Sequence, residues 1–163
     1  MPIEIRTGDL FKSGSHTLVN PVNCEGVMGA GLALQFKQRY PGMFARYRVL
    51  CRAGNIVPGS IMFDDGDGQH IANLATKGYW RSPSRLEWID DGLTTLAQHI
   101  EEEGVPSVAV PPLGCGLGGL DFRDVFPLMV RHLKSDSCHV MLYTEARYIQ
   151  FAKEALEQGN GGA

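Results

Sequence analysis

The sequence predicts an α/β protein, with a mixed, mostly parallel sheet covered by helices on both faces. Three observations predict it. Short apolar runs at residues 17–20, 60–63, 70–75, 107–110 and 139–143 alternate with longer runs of helical period. Two of these runs lead through glycine-rich turns directly into helix-like segments. The stretch Asp64-Asp65-Gly66-Asp67-Gly68 between two apolar runs reads as a hairpin turn, which adds one antiparallel pair to a sheet that is otherwise parallel.

Taken in order, Ile3 to Thr7 alternates apolar and polar residues as a strand does, and Gly8-Asp9-Leu10 is a turn. Thr17 to Asn20 is a second strand with Val22 beyond it. Pro21 is expected to end regular pairing there, because it cannot donate to a ladder. A helix from Gly31 to Tyr40 places Leu32, Ala33, Phe36 and Tyr40 on one face. Pro41-Gly42 breaks it, and a second helix runs from Met43 to Cys51 with Gly54 as its stop. Ser60 to Phe63 and His70 to Ala75 are the hairpin strands. The carboxylates of the turn lack the distal Glu of a calcium-binding loop. Thr76 to Pro83 is a loop.

Ser84-Arg85-Leu86-Glu87 has the form of a capping box. It opens a helix with Leu86, Ile89, Leu93, Leu96 and Ile100 inward. Ser107 to Val110 is a buried strand, Asp121 to Leu133 a helix, His139 to Tyr143 the last strand and Arg147 to Gln158 the last helix. One domain is expected over residues 1–158, and 159–163 is expected to be a flexible tail or a cut linker.

Composition narrows the function. A net charge of −3 gives no bulk attraction to a polyanion, so contact with nucleic acid has to come from a local basic patch. The four cysteines, at 24, 51, 115 and 138, form no Cys-x-x-Cys pair and no zinc spacing with histidine. Reduced thiols, a cytoplasmic location and no metal or cofactor are expected. No apolar run is long enough to span a membrane, and the N-terminus enters a strand at once, so neither membrane nor leader is expected. A monomer is expected.

In such sheets ligands bind beyond the carboxyl ends of the strands. Asp9, Asn20, Asn23, Lys77, Pro112 and Tyr143 all lie just past expected strand ends, so one crevice collects them. Two glycine-rich loops border it: Gly26-Val27-Met28-Gly29-Ala30-Gly31 and the stretch from Pro111 to Leu120. Glycine lets backbone approach a ligand, and free N–H groups at a helix start point at negative charge. Two such loops suggest two phosphates gripped from both sides.

Each candidate residue has a structural reading beside its functional one. Asp9 is a turn or helix cap, or else an acceptor for an exocyclic amine. Asn20 and Asn23 bond local backbone, or else hold sugar hydroxyls. Lys77 is a solvated loop lysine, or else an amine whose pKa is lowered by neighbouring cations (Arg81, Arg85) and by Trp80, which makes it a nucleophile. The same cluster suits a nucleic-acid backbone, with Tyr79 or Trp80 stacking on an unpaired base and Arg81 supplying charge. Cys115 is a small packing residue, or else a thiolate nucleophile.

Val19-Asn20-Pro21-Val22-Asn23, the loop from Gly26 to Ala33 and Pro112-Leu113-Gly114-Cys115-Gly116-Leu117-Gly118-Gly119-Leu120, in that order, resemble a macrodomain, as does the early Gly8-Asp9-Leu10. The resemblance spans nearly the whole chain. It implies a three-layer α/β/α sandwich that binds ADP-ribose. On that basis Asp9 holds the adenine amine, Asn23 contacts the distal ribose, and the loop from Gly26 to Gly31, with Met28, Gly29 and Ala30, and the loop from Gly114 to Leu117, with Cys115 and Gly116, clasp the diphosphate. Leu10, Asn20, Leu32, Thr76, Pro112 and Tyr143 are expected to complete the ADP-ribose-binding set.

Thr76-Lys77 after Asn73-Leu74-Ala75 is similar to the branch that hydrolyses terminal ADP-ribose with a lysine, and most similar to antitoxins of the DarG type. These remove ADP-ribose from thymidine in single-stranded DNA, where a DarT toxin attaches it. The resemblance therefore implies Lys77 as the catalytic group and Tyr79, Trp80, Arg81 and Arg85 as DNA contacts. The implied partners are ADP-ribosylated single-stranded DNA and a DarT-like toxin. A departure is that a lysine-dependent relative carries an Asp in the phosphate loop where this chain has Gly118. Thymine leaves through an imide nitrogen whose anion is delocalised, so it needs less help from an acid. The alternatives are hydrolysis of ester-linked ADP-ribose on protein or of ADP-ribose 1″-phosphate, and a reader that binds ADP-ribose without cleaving it.

Overall fold

The computed structural model describes residues 3–161. Strands β1 (Ile3–Arg6), β2 (Thr17–Val22), β3 (Ile61–Asp64), β4 (His70–Ala75), β5 (Ser107–Val110) and β6 (His139–Tyr143) form one sheet in the order β1-β6-β5-β2-β4-β3. Every pairing is parallel except β3 with β4. The expected mixed sheet is present, with its hairpin at the expected turn.

Helices α1 (Gly31–Arg39) and α2 (Pro41–Arg52) cover one face, and α3 (Leu86–Glu103), α4 (Phe122–Leu133) and α5 (Ile149–Gly161) cover the other. Alternation along the strands decides which residues face which layer. Leu18, Val22, Ile71, Ala109 and Met141 pack with Phe36, Met43 and Tyr47 beneath α1 and α2. Val19, Leu74, Val108, Val110 and Leu142 pack with Ile89, Leu93, Phe122 and Phe126 on the other side. Both faces are covered, so the central strands read as continuous apolar runs rather than alternating ones. Gly92 lets α3 sit directly on β4, because a Cβ there would lie 2.6 Å from the Leu74 side chain.

Three local expectations are corrected. Strand β2 continues through Pro21 to Val22. Val22 turns its carbonyl toward β4, where it accepts from the Thr76 N–H at 2.9 Å, so Pro21 faces the β5 side. The ladder to β5 ends at Leu18, and the missing N–H of Pro21 costs no bond. Helix α3 is capped by Arg85 without a side-chain bond, so Ser84 forms no capping box, and Leu86 is exposed instead of inward. Ser84 is drawn into the core elsewhere, as described below. At the C-terminus α5 continues through Gly161, past the expected end at Gln158, while Gly162 and Ala163 lie outside the described residues.

The carboxyl ends of β1, β2, β4, β5 and β6 share one edge of the sheet because these strands are parallel. The turn after β1, the two glycine-rich loops, the Lys77 segment and the turn after β6 all emerge there.

Candidate active site

Asp9 ends the first turn as the cap of a short 3-10 turn at Leu10–Lys12, its Oδ1 accepting from the Phe11 N–H at 2.9 Å. Its other oxygen lies 4.0 Å from the Arg39 guanidinium and stays exposed. A cleft of about 340 Å³ opens beside it, lined by Asp9, Leu10, Leu32, Pro112 and Tyr143 among others. Five of the sequence-derived residues therefore meet in one pocket with an acidic rim and apolar walls, a form that suits a flat polar ring such as a purine. Gln35, Thr144 and Glu145 also line it and were not singled out from sequence. Thr144 and Glu145 directly follow β6, and the same strand-end rule that selected Tyr143 points to them.

The first glycine loop is held by Asn23. Its Oδ1 accepts from the N–H groups of Glu25 at 3.0 Å and Val27 at 3.4 Å, and its Nδ2 donates to the Val27 carbonyl at 2.8 Å. Tyr47, fully buried on α2, donates its hydroxyl to the Asn23 carbonyl at 2.7 Å and Oδ1 at 2.9 Å. Burial pushes the Tyr47 hydroxyl far above its ordinary pKa, so it stays a donor. No sequence pattern links Tyr47 to the loop, and it was missed. Tyr47→Phe should lower Tm by about 2–6 °C and weaken ligand binding, because a buried acceptor loses its donor. A thermal melt with and without ADP-ribose checks this.

Asn20 lies deeper than a sugar-binding role allows. It is 0% exposed, donates to Asn73 Oδ1 at 3.0 Å and is covered by Met28. It bonds neither local backbone nor open cleft, so both expectations for it are corrected. Asn20 and Asn73 pair across β2 and β4 on the face that carries Leu18 and Ile71.

Helix α1 starts at Ala30 without a side-chain cap. Among the described residues, no acceptor meets the N–H groups of Gly29, Ala30 and Gly31 in this loop, or of Gly116, Leu117 and Gly118 in the other. Unpaired N–H groups at a helix start and on a glycine turn are what an anion needs. Turn bonds from Leu120 N–H to the Gly114 carbonyl at 2.9 Å and from Gly119 N–H to Gly116 at 3.1 Å shape the second loop. Gly114 takes φ +73, which only glycine adopts without strain. Cys115 sits inside it as a neutral thiol, pushed up to about 12 by burial and by nearby carboxylates. Its surroundings favour the packing role over a thiolate nucleophile.

The Lys77 segment is fastened to both loops. On one side the Cys24 N–H donates to the Gly78 carbonyl at 2.9 Å. On the other the Ser84 N–H donates to the Gly118 carbonyl at 2.9 Å. Lys77 leaves β4 between them, partly buried, its Nζ donating to the Trp80 carbonyl at 2.9 Å. Its pKa is lowered, and burial is the cause. The expected crowding by cations is corrected, since Arg81 stacks on Trp80 at 4.4 Å and Arg85 turns to Glu87 and to the Trp88 ring. Tyr79 and Trp80 remain exposed beside Lys77, with Arg81 on Trp80, and Arg85 stays exposed with Glu87 as its ion-pair partner.

The Macro domain family model matches residues 19–129. The chain is a macrodomain. The match takes in the Asn23 loop, Lys77 and the 114–118 loop together. Over 123 residues the macrodomain is 52% identical to a DNA ADP-ribosyl glycohydrolase of Mycobacterium tuberculosis, covering 73% of this chain and 35% of that protein. The chain thus spans about a third of that relative's length. Among solved structures, the macrodomain of Mycobacterium tuberculosis DarG superposes with a TM-score of 0.85 at 43% identity, covering 88% of this chain and 98% of that one. Thermosipho africanus DarTG in complex with ADP-ribose gives 0.83 at 30% identity, covering 94% of this chain and 46% of that one. The macrodomain presents no cluster of three or more His, Cys, Asp or Glu placed to hold a metal among the described residues, and no helix long and apolar enough to cross a membrane.

Proposed function

We propose that this macrodomain binds ADP-ribose along its strand-end crevice and removes it from thymidine bases of single-stranded DNA. In this reading it is the antitoxin module opposed to a DNA ADP-ribosyltransferase toxin of the DarT type. The observation that carries the proposal is Lys77, a partly buried amine with a lowered pKa, held between two loops whose N–H groups are free. The identity to the mycobacterial DNA ADP-ribosyl glycohydrolase and the likeness to an ADP-ribose-bound DarTG support it.

In this reading the cleft at Asp9 takes the adenine, the two loops take the diphosphate, and the distal ribose reaches Lys77. Lys77 acts at the anomeric carbon. Its nitrogen lone pair forms a bond to that carbon as the carbon–nitrogen bond to thymine breaks. The pair of electrons leaves with the imide nitrogen, which takes a proton from water. Water then releases ADP-ribose and restores the amine. Fixing the diphosphate supplies orientation, which accounts for a large part of the rate. Tyr79 and Trp80 offer stacking surfaces to neighbouring bases, and Arg81 offers charge to the backbone.

The test is a short single-stranded oligonucleotide carrying ADP-ribose on one thymidine. Incubation with the protein should release free ADP-ribose and restore the unmodified strand. An intact oligonucleotide in the presence of saturating binding would make the protein a reader. Faster turnover of ester-linked ADP-ribose on protein, or of ADP-ribose 1″-phosphate, would assign another linkage.

A further inference from the structure

Ser84 is buried, 5% exposed, yet its hydroxyl has no hydrogen-bond partner, one of two buried side-chain atoms of this kind among the described residues. It is pressed against the second glycine loop. A Cβ built on Gly118 would collide with Ser84 Oγ and would lie 2.6 Å from the Gly114 carbonyl oxygen. A Cβ on Gly114 would lie 3.2 Å from Ser84 Cβ. Hydroxyl and loop are thus in direct contact, and the Ser84 N–H already holds the Gly118 carbonyl. A buried hydroxyl left unpaired is destabilising. Its position on the rear of an anion loop suggests when it is paired.

We propose that Ser84 is the latch of the diphosphate loop, a positioning residue whose hydroxyl is unpaired in the free protein and paired when the loop holds an anion. The reason lies in how the loop is packed. The N–H groups free to meet an anion, those of Gly116, Leu117 and Gly118, share peptides with the carbonyls of Cys115, Gly116 and Leu117, so an anion that draws them forward moves the loop past Ser84. The Gly114 carbonyl borders the same space beside Gly118 as Ser84 Oγ, accepts from Leu120 and has a second lone pair, so it is the acceptor such a shift brings to the hydroxyl. The hydroxyl then favours the ligand-holding form of the loop over the free form, and that difference adds to affinity. Ser84 also ends the segment that begins at Lys77, so the same closure braces the amine against the diphosphate.

The proposal rests on ADP-ribose being the ligand, and its test separates the two. In Ser84→Ala the free protein should melt about 2–4 °C higher, because an unpaired buried donor is removed. The same variant should bind ADP-ribose about 5- to 10-fold more weakly by calorimetry. A merely structural serine would move stability and affinity in the same direction. A lower Tm for free Ser84→Ala, or an unchanged affinity, overturns the latch. Ser84→Gly serves if the alanine variant does not fold, with the same loss of affinity expected. If the parent protein binds no ADP-ribose, the functional reading falls as well. If the parent binds and the variant binds equally well, the latch alone falls.

Discussion

Replacing Lys77 with alanine should abolish the proposed turnover of the ADP-ribosylated oligonucleotide and leave ADP-ribose binding in place. The expected loss in rate is about 10³-fold or more, the scale of losing a nucleophile rather than a binding contact. Binding survives because the adenine cleft and the two loops do not depend on the amine. The pH profile adds a second reading. Burial lowers the Lys77 pKa from its ordinary value of 10.5, so the rate should rise with pH through a value below that one as the amine loses its proton. Lys77→Arg, whose guanidinium never becomes neutral, should be as inactive as the alanine variant. A rate that falls as the pH is raised, or an arginine variant that keeps activity, would make Lys77 a charge stabiliser and remove the covalent step. Turnover by Lys77→Ala at the parent rate would remove the residue from the mechanism altogether.

The second large effect is expected at Gly118. A methyl group there meets Ser84 Oγ and the Gly114 carbonyl oxygen, the latter being backbone that cannot swing aside. Gly118→Ala should destabilise the protein by about 1–3 kcal/mol, as overpacking does. It should weaken ADP-ribose binding at least about 10-fold, because the loop is pushed off the position in which its N–H groups face the ligand. Ser84→Gly in the same chain should restore part of the stability, since the two positions are in contact and their effects are coupled. Unchanged affinity in Gly118→Ala, measured by calorimetry, would mean that the 114–118 loop does not hold the diphosphate. The crowding also bears on the missing carboxylate. An aspartate at 118 would need room that Ser84 and Gly114 already occupy. In the proposed reaction the leaving group would depart without an acid on that loop, as an imide nitrogen can.

The layers and the strand-end crevice were legible in the sequence because they follow from period and punctuation. β4 and β5 are mostly apolar, with Ile71, Ala72, Leu74 and Ala75 in one and Val108, Ala109 and Val110 in the other, as strands covered on both faces tend to be, and each glycine loop opens a helix. What escaped was set by contacts between residues far apart in the chain. Pro21 looks like a strand breaker until one knows that the ladder to β5 has already stopped at Leu18. Ser84 fits a capping box by spacing, yet tertiary packing against Gly118 claims it. Asn20 and Asn23 carry the same amide and stand three residues apart. One pairs with Asn73 in the core and the other shapes a loop from beneath, a difference decided by Asn20 lying within β2 and Asn23 just past its end. Lys77 was legible as a position, while the cause of its lowered pKa was not, because charges near in sequence turned outward.

The paired amides of Asn20 and Asn73 also guard the fidelity of assembly. β2 and β4 are both rich in small and branched apolar residues, and hydrophobicity alone tolerates sliding one past the other. A slip of one residue would part the two amides and face each with hydrocarbon, at a cost that an all-apolar pair of strands would not incur. The strands that survive this check end level, Val22 opposite Ala75. The Asn23 loop and the Lys77 segment therefore leave the sheet at the same height, so the distance between the anion-holding backbone and the amine is set during folding, by a proofreading contact in the dry interior.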